Sequence, residues 1–200
     1  MDSDKRVSAA GFLLAGGQSS RMGRDKALLT LGGEPLVKIG LEKLSSVCEV
    51  VAIAGGGEEL AGFGRVVPDK RTGCGPLSGI VSALEQSLFE WNLFLPVDAP
   101  FVPVSCLEAL LLGVSGSSCV CVMAGVGDIW QPLCAVYSRK ALGVLQGELA
   151  EGRWKVTAAI AAAGVVKVLD FENIDWFANL NTPEEFAAAE RWLELDRGRK

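Results

Sequence analysis

The chain has 200 residues, 50% apolar, 22% charged and 7% aromatic, a composition of one globular domain that excludes intrinsic disorder. With 19 Lys and Arg against 24 Asp and Glu the net charge is −5, so no overall positive field exists to hold a nucleic acid, although a local cluster of cations and backbone N–H groups can still bind the phosphate of a small molecule. The absence of His excludes a Ser-His-Asp triad, a Cys-His pair and a His-ligated zinc site.

The N-terminal residues 1–6 are too polar for a signal peptide, and no apolar run approaches the ~20 residues of a membrane span, so a cytoplasmic protein without membrane attachment is expected. Nearly continuous apolar runs follow at Ala9–Ala15, Val47–Ala54, Arg65–Pro68, Asn92–Val97, Cys119–Ala124, Leu133–Tyr137 and Val165–Leu169. Runs without alternation predict strands buried on both faces, as in a parallel sheet covered by helices. Between them, helical spacing predicts helices over Pro35–Ser46, Leu77–Phe89, Pro103–Leu112, Arg139–Glu148, Lys155–Ala163 and Pro183–Leu195. The last begins with Thr182-Pro183-Glu184-Glu185, an N-cap Thr, a Pro at the first helical position and two acids where the helix dipole favours them.

The β-α alternation predicts an α/β fold: a single domain over residues 1–200, built on a doubly wound, mostly parallel, Rossmann-like sheet with helices on both faces. Residues 1–6 and 197–200 are expected to fray. In such sheets ligands collect beyond the carboxyl ends of the strands. Six Cys at 48, 74, 106, 119, 121 and 134, with no C-x-x-C pair and mostly inside apolar runs, read as small buried hydrophobes rather than a disulfide framework.

Four loops carry candidate chemistry. After the first strand comes Leu14-Ala15-Gly16-Gly17-Gln18-Ser19-Ser20-Arg21-Met22-Gly23-Arg24-Asp25-Lys26. Its spacing is neither Walker A nor the dinucleotide fingerprint, yet glycine N–H groups with Arg and Lys are the material of a phosphate loop. Asp69 precedes Gly75-Pro76-Leu77-Ser78-Gly79. Asp98 ends the apolar strand Leu93–Val97, where a carboxylate beside phosphates suits Mg²⁺, with an Asx turn before Pro100 as the competing role. Asn179 and Asn181 precede Thr182-Pro183-Glu184, as site oxygens or as members of a helix-start turn.

Leu14-Ala15-Gly16-Gly17-x-Ser19-x-Arg21-Met22-Gly23-x-Asp25-Lys26-Ala27-Leu28 closely resembles the signature of the molybdenum cofactor guanylyltransferases, within the wider nucleotidyltransferase superfamily. The resemblance extends in order through the Asp69 segment, Pro96-Val97-Asp98-Ala99-Pro100, Gln131-Pro132-Leu133-Cys134-Ala135 and Asn179-Leu180-Asn181-Thr182-Pro183-Glu184. It implies transfer of GMP from GTP to the terminal phosphate of molybdenum-loaded molybdopterin, with release of pyrophosphate. GTP and molybdopterin are then the partners, alongside other molybdenum-cofactor proteins, Mg²⁺ is the cofactor, and the enzyme is expected to be a monomer.

The implied nucleotide-binding residues are Leu14, Ala15, Gly16, Gly17, Lys26, Asp69 and Asp98. Asp98 is the implied metal ligand, and Arg21 and Lys26 are the cations that neutralise the triphosphate. For Asp69 two roles stay open: accepting from guanine N1–H and N2–H₂, or fixing a positioning network. Asn179 or Asn181 supplies a second oxygen to the metal or orients a phosphate, and Trp130 either stacks on the pterin or packs against a partner. The chain departs from the family at Val51–Gly55, which has no Asn where many members carry one near the ribose, and at Cys134, where His is frequent. Alternatives are a nucleotidylyltransferase for another base or acceptor, such as molybdopterin cytidylyltransferase or a sugar- or cobinamide-phosphate enzyme, and a non-catalytic nucleotide-binding protein.

Overall fold

Alternate side chains of the first strand, β1 (Ala9–Leu14), enter two different apolar layers. Ala9 and Leu13 pack with Leu36 and Leu44 of α1 (Leu36–Val47) and Leu107 and Leu110 of α3 (Val104–Leu112). Ala10, Phe12 and Leu14 pack with Leu77 and Ile80 of α2 (Pro76–Gln86), Leu145 of α4 (Leu142–Ala150) and Ile160 of α5 (Val156–Ala163). A strand whose two faces are both apolar needs a covering layer on each, here helices on both sides, which is why its run is continuous rather than alternating. The computed structural model describes residues 7–16 and 25–197, the last four of these by their backbone alone. The expected loose ends 1–6 and 198–200 lie outside the described residues, whereas Arg197 closes α6 (Pro183–Arg197).

The remaining strands are β2 (Thr30–Leu31), β3 (Glu34–Pro35), β4 (Val50–Ala54), β5 (Val66–Val67), β6 (Trp91–Pro96), β7 (Cys121–Val126), β8 (Ile129–Ser138) and β9 (Val166–Asp170). Among the described residues seven form one sheet in the order β5-β4-β1-β6-β8-β7-β9. Parallel pairing runs from β5 to β6 and between β7 and β9, and β8 is antiparallel to both neighbours. The chain moves outward from β1 to β4 and β5, then returns to place β6 on the other side of β1. The loops after β1 and β6 therefore diverge at a topological switch point, where doubly wound sheets bind ligands.

The mostly parallel α/β sheet is thus present, with one difference from the expected strand Leu133–Tyr137: β8 starts four residues earlier, at Ile129. Its first residues are exposed and pair only with the end of β7, so they carry no continuous apolar run to reveal them. Farther along, Phe94 of β6 stacks on Phe12 and meets Tyr137 of β8 edge-on, both at 5.4 Å between ring centres. The Tyr137 hydroxyl donates to the Pro132 carbonyl at 2.6 Å, satisfying the one polar atom of that buried cluster. Close helix-to-strand packing is set by Gly40 on α1, where an added Cβ would lie 2.4 Å from a Leu13 methyl. No helix among the described residues is long and apolar enough to cross a membrane.

Candidate active site

A cleft of 880 Å³ opens beyond the carboxyl ends of β1, β4 and β5, lined by Ala15, Gly16, Gly56, Asp69, Thr72 and Gly75 among others. Backbone contacts lock its walls together: the Ala15 N–H donates to the Ala54 carbonyl and the Gly55 N–H to the Val67 carbonyl, each at 2.9 Å. Gly55 has φ of +79°, and a Cβ there would stand 2.7 Å from Gly16 Cα, so only glycine lets the loops after β1 and β4 approach so closely. The wall is therefore backbone, the surface that can present N–H groups to phosphates or to a base edge.

Asp69 stands against this wall. A Cβ at Gly16 would lie 3.0 Å from its Oδ2, and one at Gly79 would lie 3.3 Å from its Oδ1. Oδ1 is buried and accepts no hydrogen bond among the described residues. Burial pushes the carboxyl above its ordinary value of 3.8, since desolvation disfavours the charged form. A desolvated acceptor without a donor is a costly arrangement, of the kind retained where a ligand supplies the missing donor.

The second group of polar side chains lies at the switch point. Lys26 Nζ is 3.0 Å from Asp98 Oδ2 and 2.6 Å from Asn181 Oδ1, joining loops 72 and 155 residues apart. Each partner is held locally. Asp25 Oδ1 accepts from the Ala27 N–H at 2.9 Å and starts the 3-10 turn Lys26–Leu28. The Leu180 N–H donates to the Asp98 carbonyl at 2.8 Å, tying the asparagine segment to the end of β6. Glu185 and Thr182 form a capping box at the start of α6: Glu185 Oε2 accepts from the N–H groups of Asn181 and Thr182 at 2.5 and 2.9 Å, and Thr182 Oγ1 accepts from the Glu185 N–H at 3.2 Å. Those backbone donors hold the Glu185 carboxyl below its ordinary value of 4.5.

Residues 11–164 match the MobA-like NTP transferase domain. The chain belongs to this family. A relative in Cereibacter sphaeroides, a molybdenum cofactor guanylyltransferase, is 36% identical over 192 residues, covering 93% of this chain and 97% of its own. A molybdenum cofactor guanylyltransferase from Vibrio atlanticus is 33% identical, covering 86% of this chain and 91% of its own. Among solved structures, molybdopterin-guanine dinucleotide biosynthesis protein A from Archaeoglobus fulgidus superposes with a TM-score of 0.77 at 25% identity, covering 92% of this chain and 98% of that one. A 4-diphosphocytidyl-2C-methyl-D-erythritol synthase from Anaerococcus prevotii shares the fold with a TM-score of 0.74 at 15% identity, covering 96% of this chain and 100% of that one.

Within this MobA-like NTP transferase fold the expected site residues fall into three sets. Ala15, Gly16 and Asp69 line the cleft, with Leu14 buried just behind it. Lys26, Asp98 and Asn181 converge beside it. Trp130 lies apart, half exposed at the start of β8 opposite Gly125, while Asn179 is exposed. Gly17 and Arg21 lie outside the described residues. Sequence reasoning assigned no role to Asp25 as the cap that orients Lys26, to Glu185 as the anchor of Asn181, or to Gly55 as the contact of Gly16. The Asx, capping-box and Gly-Gly-Gly patterns were the available signals.

Proposed function

We propose that the chain transfers GMP from GTP to the terminal phosphate of molybdenum-loaded molybdopterin, forming the guanine dinucleotide of the cofactor and pyrophosphate. The observation that carries this reading is the Lys26 cation shared by Asp98 and Asn181 beside a glycine-walled cleft. Its support is near full-length similarity to guanylyltransferases.

The reaction needs no protein nucleophile. An acceptor phosphate oxygen, already ionised at neutral pH, attacks the α-phosphorus of GTP as the bond to pyrophosphate breaks, so the chain's work is positioning and charge neutralisation. Backbone of Ala15, Gly16 and Gly17 receives the nucleotide, and Asp69, whose buried Oδ1 accepts no hydrogen bond among the described residues, accepts from guanine N1–H and N2–H₂ through its carboxylate. Lys26, with Arg21, neutralises charge on the departing pyrophosphate.

The donor set fits Mg²⁺. Among the described residues no group of three or more His, Cys, Asp or Glu converges. One carboxylate and one amide oxygen already share a cation, and this hard ion is usually completed by substrate phosphates and waters. Asp98 would hold it, with Asn181 as second oxygen; when bound it supplies Lewis-acid charge neutralisation at the phosphates. In this reading Asn179 orients a phosphate or contacts the second substrate, and Trp130 stacks on the pterin.

Pyrophosphate release with Mg²⁺, molybdenum-loaded molybdopterin and GTP, CTP, ATP or UTP tests the proposal. Turnover with GTP alone supports it. Turnover with CTP alone replaces the base, and none with any nucleotide overturns the molybdopterin acceptor and points to another acceptor or to nucleotide binding without catalysis.

A further inference from the structure

Among the described residues Lys43 is the one interior cation that the reaction above does not use. It lies on α1, half-buried, and its ammonium donates to the Val102 carbonyl at 2.8 Å and to the Pro100 carbonyl. No carboxylate within ion-pair distance accompanies it among the described residues. The titratable side chain that acts on Lys43 is the fully buried Cys134, whose thiol is held well above its ordinary value by its hydrogen bond with Cys106 and by burial, and so stays neutral. The desolvation of Lys43 is offset by main-chain carbonyls rather than by a counter-charge.

Those carbonyls belong to the loop that follows Asp98. Between β6 and α3 the sequence Asp98-Ala99-Pro100-Phe101-Val102-Pro103 contains two prolines, which carry no N–H, so a regular ladder cannot satisfy its acceptors. Its own main-chain bonds are few and long, such as Ala99 N–H to Pro96 at 3.2 Å and Val102 N–H to Ala99 at 3.4 Å. Pro100 and Val102 are nonetheless buried, so their carbonyls need donors from elsewhere. Lys43 supplies two donors from one point, with Leu180 N–H fixing the Asp98 carbonyl at the loop's start and Trp192 meeting Phe101 edge-on at 5.4 Å on its outer side.

We infer that Lys43 is a positioning residue for the reaction: by clamping the Pro100 and Val102 carbonyls it holds the Asp98 carboxylate where cation and phosphate must meet. A helix lysine here acts at one remove, through the backbone, on a group that touches substrate. This rests on the guanylyltransferase reading of Asp98, while the clamp itself does not.

The test compares Lys43→Met, which keeps the aliphatic stem and removes the donors, with Lys43→Arg, which restores donors for both carbonyls. Two readouts are needed: hydrogen exchange across the chain, and the affinity of Mn²⁺ in the presence of a non-hydrolysable GTP analogue, followed by the Mn²⁺ resonance signal. Expected in Lys43→Met are faster exchange confined to residues 97–104 and Mn²⁺ binding weakened roughly tenfold or more, with affinity for the analogue alone unchanged and Lys43→Arg recovering most of both losses. Unchanged exchange in that loop, uniform loosening of the whole chain, or wild-type Mn²⁺ affinity in Lys43→Met overturns the proposal. If the wild-type chain binds no Mn²⁺ with the analogue, the guanylyltransferase reading fails instead, and the exchange pattern alone decides the clamp.

Discussion

Lys26 Nζ stands 3.0 Å from Asp98 Oδ2, an ion pair between a turn after β1 and the end of β6, with both side chains partly shielded from water. Neither loop makes this contact by sequence proximity; the parallel register of β1 with β6, which sets Leu14 beside Pro96, brings the two strand ends together. Asn181 completes the group from the far end of the chain through the Leu180 bond to Asp98.

Asp98→Asn keeps the size and a hydrogen-bond acceptor for Lys26 but removes the charge. Folding should survive, and GTP-dependent pyrophosphate release should fall by roughly 100-fold or more, since a preorganised charge at a transferring phosphoryl group is lost. Near-normal turnover at saturating Mg²⁺ would be incompatible with Asp98 as the metal ligand.

Lys26→Met takes a cation away from two oxygens at once. Turnover should drop, because nothing at that position then balances charge on pyrophosphate. Mn²⁺ should bind more tightly in the absence of nucleotide, because Asp98 no longer carries an internal counter-ion. Titration of nucleotide-free protein with Mn²⁺, wild type against variant, checks the second effect independently of catalysis.

Asp69→Asn separates stability from function. In the folded chain burial raises the Asp69 pKa above the ordinary 3.8, so the folded state binds more protons than the unfolded one between the two values. The contribution of Asp69 is complete below the ordinary value and is lost as pH rises through the raised one. The variant should therefore melt with the wild type in acid and above it at neutral pH, while its GTP KM rises roughly tenfold or more for want of a carboxylate against two N–H donors. Melting temperatures across pH 3–8 and GTP KM at pH 7 are the two measurements. A variant less stable than wild type at neutral pH would contradict the desolvation argument.

Glu185→Gln acts in the opposite sense. The Asn181 and Thr182 N–H groups lower the Glu185 pKa, so its stabilising contribution is present above the ordinary 4.5 and disappears as pH falls through the lowered value. Wild type should melt above the variant at neutral pH, and the gap should close in acid. Because Glu185 holds the Asn181 backbone, the variant should also need more Mg²⁺ for half-maximal turnover, and a pH-independent melting gap would refute the capping assignment.

The elements legible in the sequence were those with buried periodicity. β1, β4 and β6 are apolar on both faces and read as runs; α1 and α2 read from their spacing; and the loops after β1 and β6, where ligand chemistry was sought, end at Lys26 and Asp98. What escaped had no continuous run or period of buried residues to betray it. β2 and β3 are two residues each, joined through Gly32 and Gly33, and their pairing rests on backbone turn geometry. Residues Ile129–Gln131 of β8 pair only with the end of β7, and Gln131 and Pro132 break the apolar run that would join Ile129 and Trp130 to Leu133–Tyr137. Lys43 on α1 reads as one more solvated helix lysine, because only the fold places the carbonyls of Pro100 and Val102 over it.

Gly55→Ala probes the missing asparagine of the β4 loop and the backbone wall in its place. At φ of +79° an L side chain costs about 1–2 kcal/mol from local sterics alone, a fall of roughly 2–8 °C in melting temperature for a domain of this size. The added Cβ would also press on Gly16 at 2.7 Å and push the β1 loop out of its contact with Asp69. GTP affinity should fall with stability. Gly147→Ala, an exposed glycine within α4 with open space around it, is the control: it should raise stability by about 0.4–1 kcal/mol and leave GTP binding untouched. If Gly55→Ala loses stability but binds GTP as wild type does, the close approach of the two loops serves folding and the nucleotide lies elsewhere in the cleft.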